Sequence, residues 1–404
     1  MSLPRADKPE DLGLSSQRIW RLTDALQRDV DKGAAPGAVL LIARHGKIAC
    51  HEAIGLRDRE AGAPMTTDTL FRIYSMTKPF TSVAAMMLSE EGALSLADPV
   101  ATYLPEFASL KVAVDSDSTT SHNLATESLR RAMTVQDLLR HTSGLTYPQL
   151  AGPMLKPPYE AANIGDDQSN AEMVTRLAQV PLAYQPGSTW QYGYSTDVLG
   201  RVVEVASGMA LDQFIETRIT APLGLQYTSF GPIDGARMAE PQVNAASGKR
   251  PPLRDVTKRH AWLSGGSGLV STAGDYVRFC QMLLNGGELE GARLLSPATV
   301  ALMTCDHLAP GIAYGPQMRA MFGALAPVPE HGIGFGLGFA VRNEPGLCAL
   351  PGSVGDYSWS GVSGTYFWID PRRELIAILM MQAPIERMRY RYLMRAMVYQ
   401  ALLN

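Results

Sequence analysis

The chain has 404 residues, 46% of them hydrophobic and 19% charged, with a net charge of −3 and a pI near 6.2. That apolar content argues against disorder, and the length suggests roughly two to three compact units or one core carrying a large insertion. The charge balance, with no block of one sign, gives no support for a nucleic-acid or anionic-membrane partner, and no apolar run is long enough to cross a membrane.

Taken in order, the N-terminus, Met1-Ser-Leu-Pro-Arg-Ala-Asp-Lys-Pro-Glu10, lacks the apolar segment of a secretory signal, so a cytoplasmic location is expected. Ile19, Leu22, Ala25, Leu26 and Val30 recur at helical spacing, and Gly33 closes the pattern. Residues 38–43 are apolar throughout and predict a core strand. His45-Gly46 then turns the chain, and residues 48–54 return as its partner.

Phe71-Arg-Ile-Tyr-Ser75-Met-Thr-Lys78-Pro79-Phe80 runs into Val83, Ala84, Ala85, Met86, Met87 and Leu88 and stops at Gly92. This predicts a buried helix with Pro79 in its first turn and Gly92 as a left-handed stop. Ser75 and Lys78, three apart, share one face. A serine at a helix N-terminus sits among free N–H groups that favour a developing oxyanion. A lysine in an apolar surround resists charging and can take the serine proton.

Residues 94–107 form a proline-punctuated loop, and 114–132, rich in Ser, Thr and Asp, read as a solvated surface excursion. Thr134 caps a short helix over 134–140, and His141-Thr-Ser-Gly-Leu-Thr-Tyr147 follows as a loop. Residues 148–185, with one helix over 172–178, are read as a cap or lid whose shape, with that of 230–262, sets the pocket size. Helices over 195–206 and 212–219 come next, then a glycine turn at 264–272 and a helix over 273–284. Residues 332–341, 360–369 and 375–382 read as successive strands, and a last helix spans 385–403.

The simplest assembly is an α+β fold. An antiparallel sheet flanked by helices is built from both chain ends, residues 1–74 and 264–404. A mainly helical insertion, residues 75–263, carries the lid segments, and the active site lies between the two.

The seven histidines are dispersed, none pair at i, i+4, and H-E-x-x-H is absent, so no metal and no cofactor is expected. Cys50, Cys280, Cys305 and Cys348 form no C-x-x-C and read as small buried hydrophobes. The glycines at 332–338 lack the strand–turn–helix context of a nucleotide loop. G-x-S-x-G is also absent, which argues against an α/β-hydrolase. His141 is the plausible histidine of a Ser-His-Asp triad, although a helix C-terminal turn explains it equally well. Tyr192 alone reads as a packing aromatic.

Together, these segments resemble the serine β-lactamase and penicillin-binding-protein superfamily, specifically its class C β-lactamase-like esterases and transesterases. The residues that carry the resemblance are Ser75-Met-Thr-Lys78 and Asp137-Leu-Leu-Arg-His-Thr-Ser-Gly-Leu145, followed by Pro186-Gly-x-x-Trp-x-Tyr192, Gly265-Gly-Ser-Gly-Leu-Val-Ser-Thr272, Gly334-Phe-Gly-Leu-Gly338 and Trp359-Ser-Gly361. The S-x-x-K box is a known signature of that superfamily. The resemblance implies a Ser75 nucleophile that forms an acyl-enzyme, with Lys78 and Tyr192 sharing the proton traffic. It also implies an oxyanion hole made by the backbone N–H groups of Ser75 and Val362, just after Trp359-Ser-Gly361 on an edge strand. Tyr147 matches a second tyrosine that lines the site in the esterase-like members.

Two departures from the pattern bear on substrate. Where β-lactamases carry Tyr-x-Asn, this chain has Tyr192-Gly193-Tyr194, so the amide donor is missing. Where they carry Lys-Thr-Gly, it has Trp359-Ser360-Gly361, a neutral indole in place of the cation. Both changes favour a neutral small-molecule ester. The reading is therefore a serine carboxylesterase. The alternatives are an acyltransferase, a β-lactamase or D-alanyl peptidase, and a non-catalytic member. Nothing in the pattern sets an oligomeric state.

Overall fold

A computed structural model describes residues 3–114, 124–165, 167–244 and 247–404. Helix α1 (Ser16–Asp31) starts on Ser15, whose hydroxyl accepts from the Arg18 N–H, and buries Ile19, Leu22, Leu26 and Val30. Strands β1 (Gly37–Arg44) and β2 (Lys47–Asp58) form the expected hairpin, and β3 (Ala63–Pro64) adds to it.

From the other end of the chain come β4 (Ile333–Phe335), β5 (Ala340–Arg342), β6 (Tyr357–Ser360), β7 (Tyr366–Asp370) and β8 (Leu375–Met380). The sheet order is β4-β5-β6-β7-β8-β1-β2-β3, with β1 antiparallel to β8, so the two chain ends close one sheet.

Side chains alternate across this sheet, and both faces are covered. Ala38, Leu40, Ile42, Trp368 and Leu379 face α1 and the last helix, α5 (Arg387–Tyr399). Val39, Leu41, Phe367 and Ile378 join the larger core instead. Cover on both faces is why β1 reads as an unbroken apolar run and not as an alternating one.

Helix α2 (Lys78–Glu90) is buried from Lys78 to Leu88, as its all-round apolar sequence requires. Its Phe80 stacks on Phe279 of α4 (Ala273–Leu284), with ring centroids 3.9 Å apart. Helix α3 (Ser195–Ser207) packs beside it.

Four expectations are corrected. Residues 332–341 are a hairpin, not one strand. The turn falls at Gly338, where φ is +106° and an added Cβ would lie 2.4 Å from the Ser82 hydroxyl. Residues 360–369 are likewise two strand ends around a turn, closed by the Gly361 N–H to Thr365 C=O bond of 2.9 Å. Strand β6 is an interior strand, although β5 pairs only with Tyr357 and Ser358. The Trp359–Ser360 end therefore has a neighbour on one side alone. Finally, Cys305 is exposed, whereas the other three cysteines are buried as expected.

The surface excursion pairs its far end, Thr126–Ser128, with Lys111–Ala113, and residues 115–123 lie outside the described residues. In the segment read as a lid, Leu150, Tyr159, Met173, Val174, Leu177 and Leu182 belong to the main core. Among the described residues, no helix is long and apolar enough to cross a membrane.

Candidate active site

Ser75 sits in a 3-10 turn, Tyr74–Thr77, that feeds directly into α2, so it precedes the helix it was expected to open. The turn is clamped from several sides. The Leu269 N–H donates to the Thr77 hydroxyl (3.1 Å), and the Tyr276 hydroxyl donates to the Met76 carbonyl (3.0 Å). Tyr74 holds a left-handed φ of 45°, a conformation L-residues seldom adopt outside constrained sites, and its hydroxyl accepts the Arg254 N–H (3.2 Å).

Lys78 is 1% exposed, and each of its three ammonium protons has an acceptor. These are the Gly266 carbonyl at 2.9 Å, the Tyr147 hydroxyl at 3.3 Å and Ser75 Oγ at 3.4 Å. The ammonium also lies 4.6 Å from the Tyr192 ring centroid, over the ring face. The Tyr192 hydroxyl points elsewhere and accepts the Trp359 indole N–H at 3.3 Å. Ser75, Lys78, Tyr147, Tyr192 and Trp359 therefore converge.

Tyr194 is buried and edge-on to Tyr147, with ring centroids 4.6 Å apart. Gly193 makes this convergence possible, because a Cβ there would lie 2.4 Å from Thr146 Cα and push the 141–147 loop away. That loop is anchored at its base by Asp137. Burial alone would raise the Asp137 pKa, but Arg131, Thr134 and Thr142 outweigh it and hold it at about 2.

Two groups at the site carry no sequence signal that the reading used. Asp197, 1% exposed, accepts from the Ser264 hydroxyl, the Gly266 N–H (3.1 Å) and the Tyr147 hydroxyl (3.5 Å). Burial raises its pKa above the ordinary carboxylate value, against the pull of Lys78. Burial first, then Asp197, pushes the Tyr147 phenol well up, so Tyr147 stays protonated and can donate. Asp197 sits in the first turn of α3, where an acidic residue passes for an ordinary helix-dipole partner.

The second is Arg391 of α5, which lies in a run of arginines that looks like a solvated helix face. It is 3% exposed and donates to the Gly361 carbonyl.

The cleft above Ser75 is lined by Tyr192, Met321, Phe322, Ser360, Gly361, Val362, Arg387 and Arg391, and encloses ≈ 20 Å³, room for about one water. Its walls come from the 318–322 helix and α5, not from residues 148–185 or 230–262, where the sequence reading placed them. Val362 is exposed at its rim.

His141 is fully buried, and burial holds its pKa well down. It packs on Tyr192 (4.8 Å between centroids) and Phe335, and no hydrogen bond joins it to Ser75 among the described residues. It is an aromatic packing residue and not the histidine of a triad.

Comparison with known proteins gives the family of the chain. The Beta-lactamase family model matches residues 22–399. The protein Rv1367c of Mycobacterium tuberculosis is 37% identical over 366 residues, covering 87% of both chains. Esterase EstB of Burkholderia gladioli is 33% identical over 377 residues, again with 87% of both chains covered. Among solved structures, "EstCE1, a hydrolase with promiscuous acyltransferase activity" superposes with a TM-score of 0.77 at 29% identity, covering 95% of this chain and 99% of that one.

Proposed function

We infer that this chain, which belongs to the beta-lactamase family, is a serine carboxylesterase acting on small to medium neutral esters through an acyl-enzyme on Ser75. The observation that carries the reading is the hydrogen-bonded line from Ser75 Oγ through Lys78 and the Tyr147 hydroxyl to the Asp197 carboxylate, beneath a cleft whose Tyr192 wall is backed by the Trp359 indole. The esterase relative and the hydrolase of similar fold support it.

In the first step, which calls for Lys78 as the neutral amine with one of its three protons released, the Ser75 oxygen bonds to the ester carbonyl carbon and its proton passes to the Lys78 nitrogen, 3.4 Å away. The carbonyl oxygen becomes an oxyanion between the Ser75 and Val362 N–H groups. The C–O bond to the alcohol then breaks. Lys78 then returns the proton to the departing alkoxide; a relay through Tyr192 requires its hydroxyl to leave the Trp359 indole and turn toward Lys78. Water repeats the sequence on the acyl-enzyme, and a second alcohol in its place gives acyl transfer. Asp197 balances the charge that reaches Lys78, with Tyr147 holding the two in register.

Rates on p-nitrophenyl esters of increasing acyl length, set against nitrocefin, test the substrate class. Short and medium esters are expected to turn over far faster. Equal turnover of nitrocefin would overturn the preference for esters. Hydrolysis and transfer separate by product partition when a primary alcohol is added.

Asp197→Asn is expected to lower kcat on the order of 10²-fold at neutral pH, with stability unchanged or higher. Asparagine Oδ1 can keep the Ser264 and Gly266 donors, which both bind a single carboxylate oxygen. The substitution relieves a charge whose burial is costly, which offsets the loss of the Oδ2 acceptor of the Tyr147 hydroxyl. Kinetics and a thermal melt on one preparation would check this, and undiminished kcat would remove Asp197 from the mechanism.

A further inference from the structure

Arg391 lines the cleft beside Ser75 and is almost wholly buried, yet no carboxylate among the described residues lies within ion-pair distance of it. Arg395, one turn further along α5, shows what a structural arginine does here, pairing with Asp356. Arg391 instead donates to the Gly361 carbonyl, points a second nitrogen at Met388 Sδ (3.3 Å), and leaves Nε without a partner. Burial pulls its pKa down to about 9, which still leaves a cation at neutral pH. A buried charge without a counter-charge is costly and calls for a reason.

The reason lies across one peptide bond. In a trans peptide the C=O and N–H point in opposite directions, so a guanidinium on the Gly361 oxygen fixes where the Val362 N–H is aimed. Neither the Val362 nor the Ser75 N–H is used in a backbone hydrogen bond among the described residues. The peptide cannot retreat either, since a Cβ on Gly361 would lie 2.5 Å from the Ile73 carbonyl, and the Gly364 N–H also holds the Gly361 oxygen (3.2 Å).

We propose that Arg391 is a positioning residue for the oxyanion: it clamps the Gly361–Val362 peptide so that the Val362 N–H faces the substrate carbonyl. The cation polarises that peptide, which makes its N–H a stronger donor. Negative charge developing in the transition state then supplies the counter-charge that the resting site lacks. This rests on the acyl-enzyme reading of Ser75.

The test compares Arg391→Met and Arg391→Lys with the wild type, using a p-nitrophenyl ester and an alkyl boronic acid. The boronic acid accepts the Ser75 oxygen at boron as the serine proton leaves, and becomes a tetrahedral anion that mimics the intermediate. In Arg391→Met, kcat is expected to fall about 10²-fold with KM little changed, and boronate affinity to fall by a similar factor. Arg391→Lys, which keeps the cation, is expected to recover a large part of both.

A Met variant with near wild-type kcat, a loss confined to KM, or a Lys variant no better than Met would overturn the proposal. If Arg391→Met fails to fold, Arg391→Gln, which keeps a donor but no charge, is judged by the same criteria. If that also fails, Arg391→Lys alone decides: its shorter reach must cost kcat and boronate affinity together, and no loss in either refutes the role. Fluorophosphonate labelling of wild-type Ser75 keeps the two readings apart. No label means that the acyl-enzyme reading fails, whereas a labelled wild type with unaffected variants removes Arg391 alone.

Discussion

Ser75→Ala is expected to lower ester turnover by about 10⁴-fold or more, the range for losing a serine nucleophile whose partners act as a unit. It should also abolish labelling by a fluorophosphonate. The fold should be untouched, because Ser75 lies half-buried in its turn and, among the described residues, its hydroxyl receives only the long, 3.4 Å contact from Lys78. The bonds that clamp the turn run through Thr77, Met76 and Tyr74, none of which the substitution alters. Lys78 keeps its Gly266 and Tyr147 acceptors. A variant that melts with the wild type, turns over no ester and carries no probe adduct by mass spectrometry is the expected result. A variant that still acquires the adduct would place the nucleophile elsewhere.

What was legible in the chain, and what was not, follows from the distance between partners. Helix α4 was read to the residue and α3 to within one, because caps and apolar spacing are local signals. The Ser75–Lys78 pair was legible for the same reason, three residues on one turn. The breaks at Gly338 and at 361–365 were hidden because the flanking residues are apolar and aromatic. Only the approach of Ser82 and Ile73 from elsewhere in the fold forces the turns.

The site shows the same division. Trp359 and Tyr192 could be placed from their boxes, but the indole-to-phenol bond that turns the Tyr192 hydroxyl away from Lys78 could not. An acidic residue in the first turn of a helix, as Asp197 is, has an ordinary role as a dipole partner, and an arginine in a run of arginines, as Arg391 is, has one on a solvated face. Each acquires its role from a backbone group, at Gly266 or Gly361, that side-chain patterns do not display.

Lys78→Met is expected to cost about 10³-fold in kcat, and its effect on stability shows how the site is built. Methionine fills the same buried volume, so packing is preserved. The Gly266 carbonyl loses its donor, however, and Asp197 loses the first of the influences that offset its burial. The Asp197 pKa is already raised in the folded protein, so the folded state holds that proton more tightly than the unfolded chain. Stability therefore falls as pH rises between the unfolded and the folded pKa. Removing the lysine lifts the folded value further and widens that window upward.

The single variant should therefore lose stability on the order of 1–3 kcal/mol at neutral pH and less at mildly acidic pH. Lys78→Met/Asp197→Asn should recover part of the loss at neutral pH while remaining as inactive as Lys78→Met. Denaturant melts at two pH values, with kinetics on the same samples, separate the two effects. If the double variant is no more stable than the single one, the Asp197 charge does not depend on Lys78. If Lys78→Met keeps near wild-type turnover, the proton leaves Ser75 by another route.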